Sequence, residues 1–238
     1  MTPPPKTLPA TAGLALAFGL SLGGAARADD DFQAWPTVQV TGKVRPDGLA
    51  AYAEGQLRLN DDAGRVLLKI VRLGLGKEWT DGHNVYGGYA WYESDPLGRP
   101  RNTEHRMWQQ LGYPILKRGP LQLTGRMRLE QRFREDLPDA AFRMRQMLRA
   151  QYKLGDGTRA PSLVAHSELF TEFADTRWGV KARAYDQVRT FAGVRTPFTQ
   201  KIAVEAGYLN QTLNGRDRNG LDRGGPNHIL LATLAMSW

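Results

Sequence analysis

The stretch from Leu121 to Leu154 constrains the fold more than any other part of the chain. In LQLTGRMRLEQRF, Leu121, Leu123, Gly125, Met127, Leu129 and Phe133 share one parity, while Gln122, Thr124, Arg126, Arg128, Glu130 and Arg132 share the other. Side chains alternate between the faces of a strand, so a strand here has one apolar and one heavily charged face. After a turn-like FREDLPDA the pattern resumes in FRMRQMLRAQYKL. There Phe142, Met144, Leu148, Ala150, Tyr152 and Leu154 oppose Arg143, Arg145, Arg149, Gln151 and Lys153, with a local slip expected near Met147. Such a strand pair needs two unlike environments. Lipid outside and a polar lumen inside supply them.

The beginning of the chain reads as an address. MTPPPK, the apolar LPATAGLALAFGLSLGG and the small-residue end Ala26-Arg27-Ala28 together form a secretory signal peptide over residues 1–28. A transmembrane anchor is the competing reading, but a stretch this diluted by Gly and Ala is short for spanning. Cleavage after Ala28 leaves one 210-residue domain, 29–238, and the loss of Lys6 and Arg27 lowers the net charge from +8 to +6. No later stretch reaches about 18 consecutive apolar residues, which excludes a helical membrane protein. A mean hydropathy of -0.47 would ordinarily suggest a soluble chain. Transmembrane barrels escape that test because only alternate residues meet lipid. Without cysteine, an exported chain has no disulfide framework, and its stability rests on the strand ladder.

From Asp31 onward, strand-like runs follow one another between Gly, Pro, Asn and Asp clusters, with no helical period. The runs are 35–45, 49–60, 65–76, 84–92, 103–113, 121–133, 142–154, 162–173, 184–195, 200–211 and 228–238. LRLNDDAGRVLLK is the clearest tight-hairpin signal, and YKLGDGTRAP is another. A barrel closed wholly by antiparallel pairs, with both termini in the periplasm, needs an even number of strands. Eleven runs therefore mean that one strand is hidden or that closure is unusual. Twelve strands are expected, with a strand ahead of Tyr185 or a non-spanning first run as the source of the discrepancy, and ten are the fallback. Loops at 93–102, 134–141, 174–183 and 212–227 are expected outside, opposite a periplasmic turn at 196–199.

The last strand, HILLATLAMSW, places Leu230, Ala232, Leu234 and Met236 on the parity of the final Trp238. A lipid-facing row ending in an aromatic residue is what a terminal barrel strand presents to the outer-membrane assembly machinery. Trp35, Trp79, Tyr86, Tyr89, Trp91, Tyr92, Tyr113, Trp178, Tyr185 and Tyr208 lie mostly near run ends, where an interfacial girdle would place them, although any sheet enriches aromatics. In order, DFQAWPTVQV, EHRMWQQLGY, LTGRMRLEQRF, the RMR of the next strand, SELFTEF, YDQVRTFAGV and EAGYLNQ resemble the successive motifs of the family called domain of unknown function 2490 (DUF2490). The resemblance covers nearly all of 29–238 and implies an all-β envelope barrel, with no activity attached to it.

The charged face supplies the chemistry. Arg58, Arg106, Arg126, Arg128, Arg132, Arg143, Arg145, Arg149, Lys153 and Arg189 are its bases, and Glu54, Glu104, Glu130, Glu168, Glu172 and Glu205 its acids. In a water-filled lumen, ten bases against six acids would favour small anions or acidic solutes. In a filled barrel the same groups would pair across strands as a brace, because unpaired charge removed from water is costly. The brace is the preferred reading. Arginine suits either role, through bidentate pairing with carboxylates of the protein or of a solute.

Other chemistry has weaker footing. In AHSELFTEF, His166, Glu168 and Glu172 share one face and Ser167 the other, a poor arrangement for a nucleophile and its base. The loop from Asn214 to Asn227 contains Asp217, Asn219 and Asp222 but lacks the spacing and terminal Glu of a calcium loop. Its Arg216, Arg218 and Arg223 suit lipopolysaccharide phosphates instead. No metal, cofactor or nucleic-acid partner is expected, since arginines spread strand by strand make no single basic patch. The expectation is a monomeric outer-membrane β-barrel of a Gram-negative cell, structural or passing small anions. A lipid-modifying envelope enzyme and a soluble periplasmic β-sandwich are the alternatives.

Overall fold

The computed structural model describes residues 32–214 and 226–238. The expected leader over 1–28 and the loop residues Arg216, Asp217, Arg218, Asn219, Asp222 and Arg223 lie outside the described residues. Eleven strands run in sequence: β1 (Phe32–Lys43), β2 (Leu49–Asn60), β3 (Arg65–Glu78), β4 (Asn84–Ser94), β5 (Asn102–Arg118), β6 (Leu121–Arg134), β7 (Leu137–Lys153), β8 (Ser162–Glu172), β9 (Arg183–Pro197), β10 (Ile202–Leu213) and β11 (Asn227–Ser237). Each pairs with its neighbour in sequence, and β1 pairs with β11, so the sheet closes into a barrel with no free edge, not into a two-sheet sandwich.

Strand direction cannot alternate all the way round an odd-numbered ring. One pair must be parallel, and it is β1 with β11, in register from Phe32↔His228 to Thr41↔Ser237. Every run read from the sequence is thus a strand, the first included, and the hidden strand ahead of Tyr185 does not occur: 173–182 is a loop. The antiparallel barrel stands, with eleven strands and one parallel seam where an even count was expected. The seam also places the start of β1 and the end of β11 at opposite rims, so these strand ends do not share one side. The connections 61–64, 95–101, 135–136 and 173–182 lie at the rim where β1 begins, as do the end of β10 and the start of β11. Those at 44–48, 79–83, 119–120, 154–161 and 198–201 lie at the rim where β11 ends. The loops expected at 93–102, 134–141 and 174–183 do share the first rim, opposite the turn after β9, while most of the one expected at 212–227 lies outside the described residues.

Local chemistry explains the irregularities. Pro114 brings no N–H to the β5–β6 ladder, and the register shifts between Pro114 and Leu116. Asp61, Asp62 and Ala63 take left-handed φ values of 54°, 50° and 61° in the β2–β3 hairpin, a conformation that aspartate tolerates well. The expected slip near Met147 is absent. Ladder pairs run unbroken through Arg145↔Phe170, Met147↔Glu168 and Arg149↔His166, so Met147 simply takes an inward position and Gln146 an outward one. The turn FREDLPDA shrinks to Glu135 and Asp136, because β7 already begins at Leu137.

The two faces sort opposite to a soluble barrel. Val71, Leu73, Leu75, Met107, Leu111, Leu129, Phe142, Leu163 and Leu230 are exposed on the outside, while Arg106, Arg128, Glu130, Arg145 and Glu168 are buried within. Even outward glutamines pair with each other: Gln109 and Gln131 exchange amide hydrogen bonds of 3.2 and 3.0 Å. Inside, Tyr52, Tyr86, Tyr92 and Trp108 form an aromatic cluster across β2–β5. A Cβ at Gly74 would lie 2.6 Å from Trp108 Cζ2, so that glycine makes room for the indole. Trp35 anchors a second cluster with Val164, Phe191, Leu209 and Ile229. Trp35, Tyr86 and Tyr92 are therefore interior residues, not members of a girdle.

The parallel seam is open to a direct check in this cysteine-free chain. Thr37 faces Thr233 and Gln39 faces Ala235. Cysteine pairs at 37/233 and at 39/235 should both crosslink under oxidation, read as a shift on a denaturing gel. An antiparallel seam would allow only one of them.

Candidate functional site

The inward charges of β5–β9 form one connected network. Arg106 bridges Glu104 at 2.6 Å and Glu130 at 3.1 Å; Arg145 bridges Glu130 at 3.0 Å and Glu168 at 2.9 Å; Arg126 reaches Glu168 at 2.6 Å. From Glu104 the network continues to Arg132 at 2.7 Å, then to Glu172 at 2.8 Å, which also holds Arg143. Arg143 ends the chain 3.6 Å from Asp186. Five guanidiniums and five carboxylates are joined in this way, so the network is neutral as a whole. Each ion leaves water at a cost of several kcal/mol, and only multiple, well-aligned partners offset it. Rings supply further contacts, with Arg106 3.6 Å over Tyr92 and Arg145 4.7 Å over Phe170.

The loop 173–182 covers the network at the rim where β1 begins. Trp178 lies over Arg132 at 5.0 Å and donates its indole N–H to the Asp139 carbonyl at 3.2 Å. Arg177 clasps the Asp139 carboxylate through its backbone N–H at 2.7 Å and its guanidinium at 3.0 Å. Trp178 is thus a cover over arginines, not a girdle residue.

The other half of the interior is hollow. A cavity of about 580 Å³ reaches the opposite rim at Thr199, Gln200, Lys201 and Ser237. Eight arginines and Lys201 line it against three acids, Glu54, Glu168 and Glu205. Glu54 binds Arg72 and the Tyr52 hydroxyl, and Glu205 takes Arg149 at 2.8 Å and Arg195 at 3.8 Å. Among the described residues, no carboxylate pairs with Arg58, Arg128 or Arg189. Their polar partners are amide oxygens, from Gln56 at 3.0 Å, Gln110 at 2.6 Å and Gln187 at 3.4 Å.

The structure places the sequence-predicted residues unevenly. Arg106, Arg132 and Arg143, with Glu104, Glu130 and Glu172, belong to the network; Arg128, Arg149 and Arg189 belong to the cavity; Arg126, Arg145 and Glu168 touch both. Lys153 stays at the rim, against the Asp156 carbonyl. Arg72, Arg195 and Asp186 were not foreseen. Arg72 hides in the apolar run VLLKIVRLGLG, and Asp186 is brought against Arg143 beside the register shift between Phe170 and Glu172. His166 faces inward, stacked 4.9 Å from Phe191 with Nδ1 unpartnered, so no hydroxyl stands beside it. His105 instead faces outward, between the Tyr89 hydroxyl at 2.5 Å and Glu135 at 2.9 Å. Trp238 lies across Gly42 of β1, where a Cβ would fall 2.4 Å from its indole, so the last residue covers the seam.

Fold and site together define a closed, eleven-stranded β-barrel with an apolar exterior and an arginine-rich interior, half braced and half hollow. The chain belongs to the family described as a protein of unknown function (DUF2490), whose model matches residues 32–222, as its motifs indicated. It is also 33% identical over 182 residues to an uncharacterised protein of Methylorubrum extorquens, covering 76% of this chain and 78% of the relative. No solved structure matches the chain significantly.

The network makes a prediction about stability. Glu130 is 1% exposed and answers both Arg106 and Arg145, so Glu130→Gln should cost about 3–5 kcal/mol in denaturant unfolding. Glu93→Gln, which breaks only the exposed pair with Lys69, should cost about 1 kcal/mol or less.

Proposed function

We propose that this protein is an outer-membrane β-barrel that admits small anions and acidic solutes into a basic interior, with the arginine–glutamate network as its constriction. The observation that carries this reading is the inverted sorting of the two faces. Exposed Val, Leu, Met and Phe recur on the outer face of strand after strand around the barrel, and large exposed apolar surfaces mark interaction or membrane faces. The closed ladder leaves no unpaired edge, as a bilayer requires. A leader over 1–28 and a terminal strand ending in Trp238 agree with export and assembly in that membrane, in contact with lipid and lipopolysaccharide. Short turns typically face the periplasm and longer loops the outside. By that rule the cavity mouth, beside the connection at 198–201, faces the periplasm, and the loop 173–182 faces out.

Eleven strands fall between barrels of about eight, which side chains fill, and those of about sixteen, which are open pores. A braced half and a hollow half suit that intermediate width. An enzymatic reading has less support, because His166, the histidine beside Ser167, faces the interior while that serine faces out.

Two measurements test the proposal. Leu73, mid-strand on the outer face and 55% exposed, should tolerate arginine poorly: Leu73→Arg should weaken folding into lipid vesicles by about 2–4 kcal/mol. A soluble fold would hardly notice the change. In planar bilayers the refolded protein should show small, anion-preferring currents, and absence of current or cation preference would overturn the transport reading.

A further inference from the structure

We propose that the cavity is a binding site for a small anion carrying two or more carboxylate or phosphate groups, held by Arg58, Arg128 and Arg189. The proposal rests on the cavity being reached from the rim at Lys201 and Ser237; it does not require passage through the network.

The three arginines are set apart by their partners. Arg72, Arg106, Arg126, Arg132, Arg143, Arg145, Arg149 and Arg195 each have a carboxylate within ion-pair distance. Arg58, Arg128 and Arg189 have a glutamine oxygen and an aromatic face each. Arg58 lies 3.9 Å over Trp35; Arg189 lies 5.0 Å over the same ring and 4.6 Å over Phe170; Arg128 lies 5.1 Å over Trp108. Arg128 is 2% exposed and Arg189 8%, and Arg189 Nε has no partner at all. Guanidinium does not give up its proton in a protein, so it cannot escape the cost of burial by neutralising. Carboxamides and rings orient it without spending its charge. Cations held in place without a paired carboxylate around one cavity, Arg128 and Arg189 buried and Arg58 partly so, are what an anion site looks like before the anion arrives.

Valence and size follow from the same residues. A single monovalent ion cannot answer three guanidiniums on different strands, β2, β6 and β9. Two or three carboxylates or phosphates on one small molecule can, each taking a bidentate fork. A volume of about 580 Å³ lies within the range of small-ligand sites, and Arg149 and Arg195 near the mouth add a positive approach. A macromolecule is excluded by position, since all three arginines point into the barrel.

The test uses the mature chain refolded in neutral detergent, with thermal unfolding and titration calorimetry at constant ionic strength. Chloride, acetate, succinate, citrate, phosphate and pyrophosphate are the probes, and the comparison of citrate with pyrophosphate separates carboxylate from phosphate preference. At least one multivalent anion should raise the melting temperature and bind about tenfold or more tighter than acetate, as a second charged fork predicts. Arg128→Gln and Arg189→Gln should each weaken that binding about tenfold and, by removing an uncompensated buried charge, leave the ligand-free melting temperature unchanged or higher. Arg→Lys at the same positions keeps the charge and loses the fork, so binding should still fall. Arg132→Gln, in the network, should lower the melting temperature and leave affinity alone. No response to any multivalent anion beyond chloride, or an undiminished response in the Arg128→Gln/Arg189→Gln double variant, would overturn the proposal. Because binding is read in detergent, a failure of bilayer conductance leaves this result standing, and a failure here leaves conductance to be judged separately.

Discussion

Charge taken out of water must be answered locally, and the interior of this barrel is arranged around that requirement. Closing the sheet with its apolar face outward forces the arginines and glutamates of β5–β9 into a narrow space. There a lone ion costs far more than an ion pair returns, so the stable solution is a network in which most ions touch two of opposite sign. Glu104, Glu130, Glu168 and Glu172 each serve two arginines, and every one of the four has at least one partner on another strand. The shape of the polar interior follows from this double duty.

The same requirement divides the molecule. Where acids are plentiful, from β5 to β9 toward the rim covered by Trp178, the interior is filled and neutral. Where β1, β10 and β11 supply small or uncharged inward residues such as Thr37, Thr233 and Ala235, there is space, and arginines from β2, β6 and β9 project into it. The parallel seam contributes by bringing Trp35 of β1 beneath both Arg58 and Arg189. Brace and cavity are thus two outcomes of one charge distribution, decided by where the carboxylates happen to lie.

Much of this was legible in the sequence. Period-two alternation in Leu121–Leu154 gave the two faces, and ten of the eleven runs needed only their ends moved, because a side chain's face is a local property. Closure was not legible. Whether β1 meets β11 in parallel depends on the ring as a whole, and a rule about even strand numbers pointed elsewhere. Cross-barrel partners were equally hidden: Arg126 with Glu168 and Arg149 with Glu205 are far apart in sequence, and parity says only that both point inward. Trp35 and Tyr92 looked like girdle residues because their position near a run end is visible, whereas the guanidinium above each ring is not. The slip inferred at Met147 came from expecting every inward residue to be polar, when a methionine fits a partly hollow interior.

One half of the interior is electrically complete and the other is not. The most direct measurement is a crystal structure of the refolded protein soaked in selenate, a divalent anion whose anomalous scattering locates it without bias. The arrangement described here predicts a peak among Arg58, Arg128 and Arg189 and none around Glu130. A cavity without selenate, or those guanidiniums turned onto carboxylates of the chain itself, would contradict it.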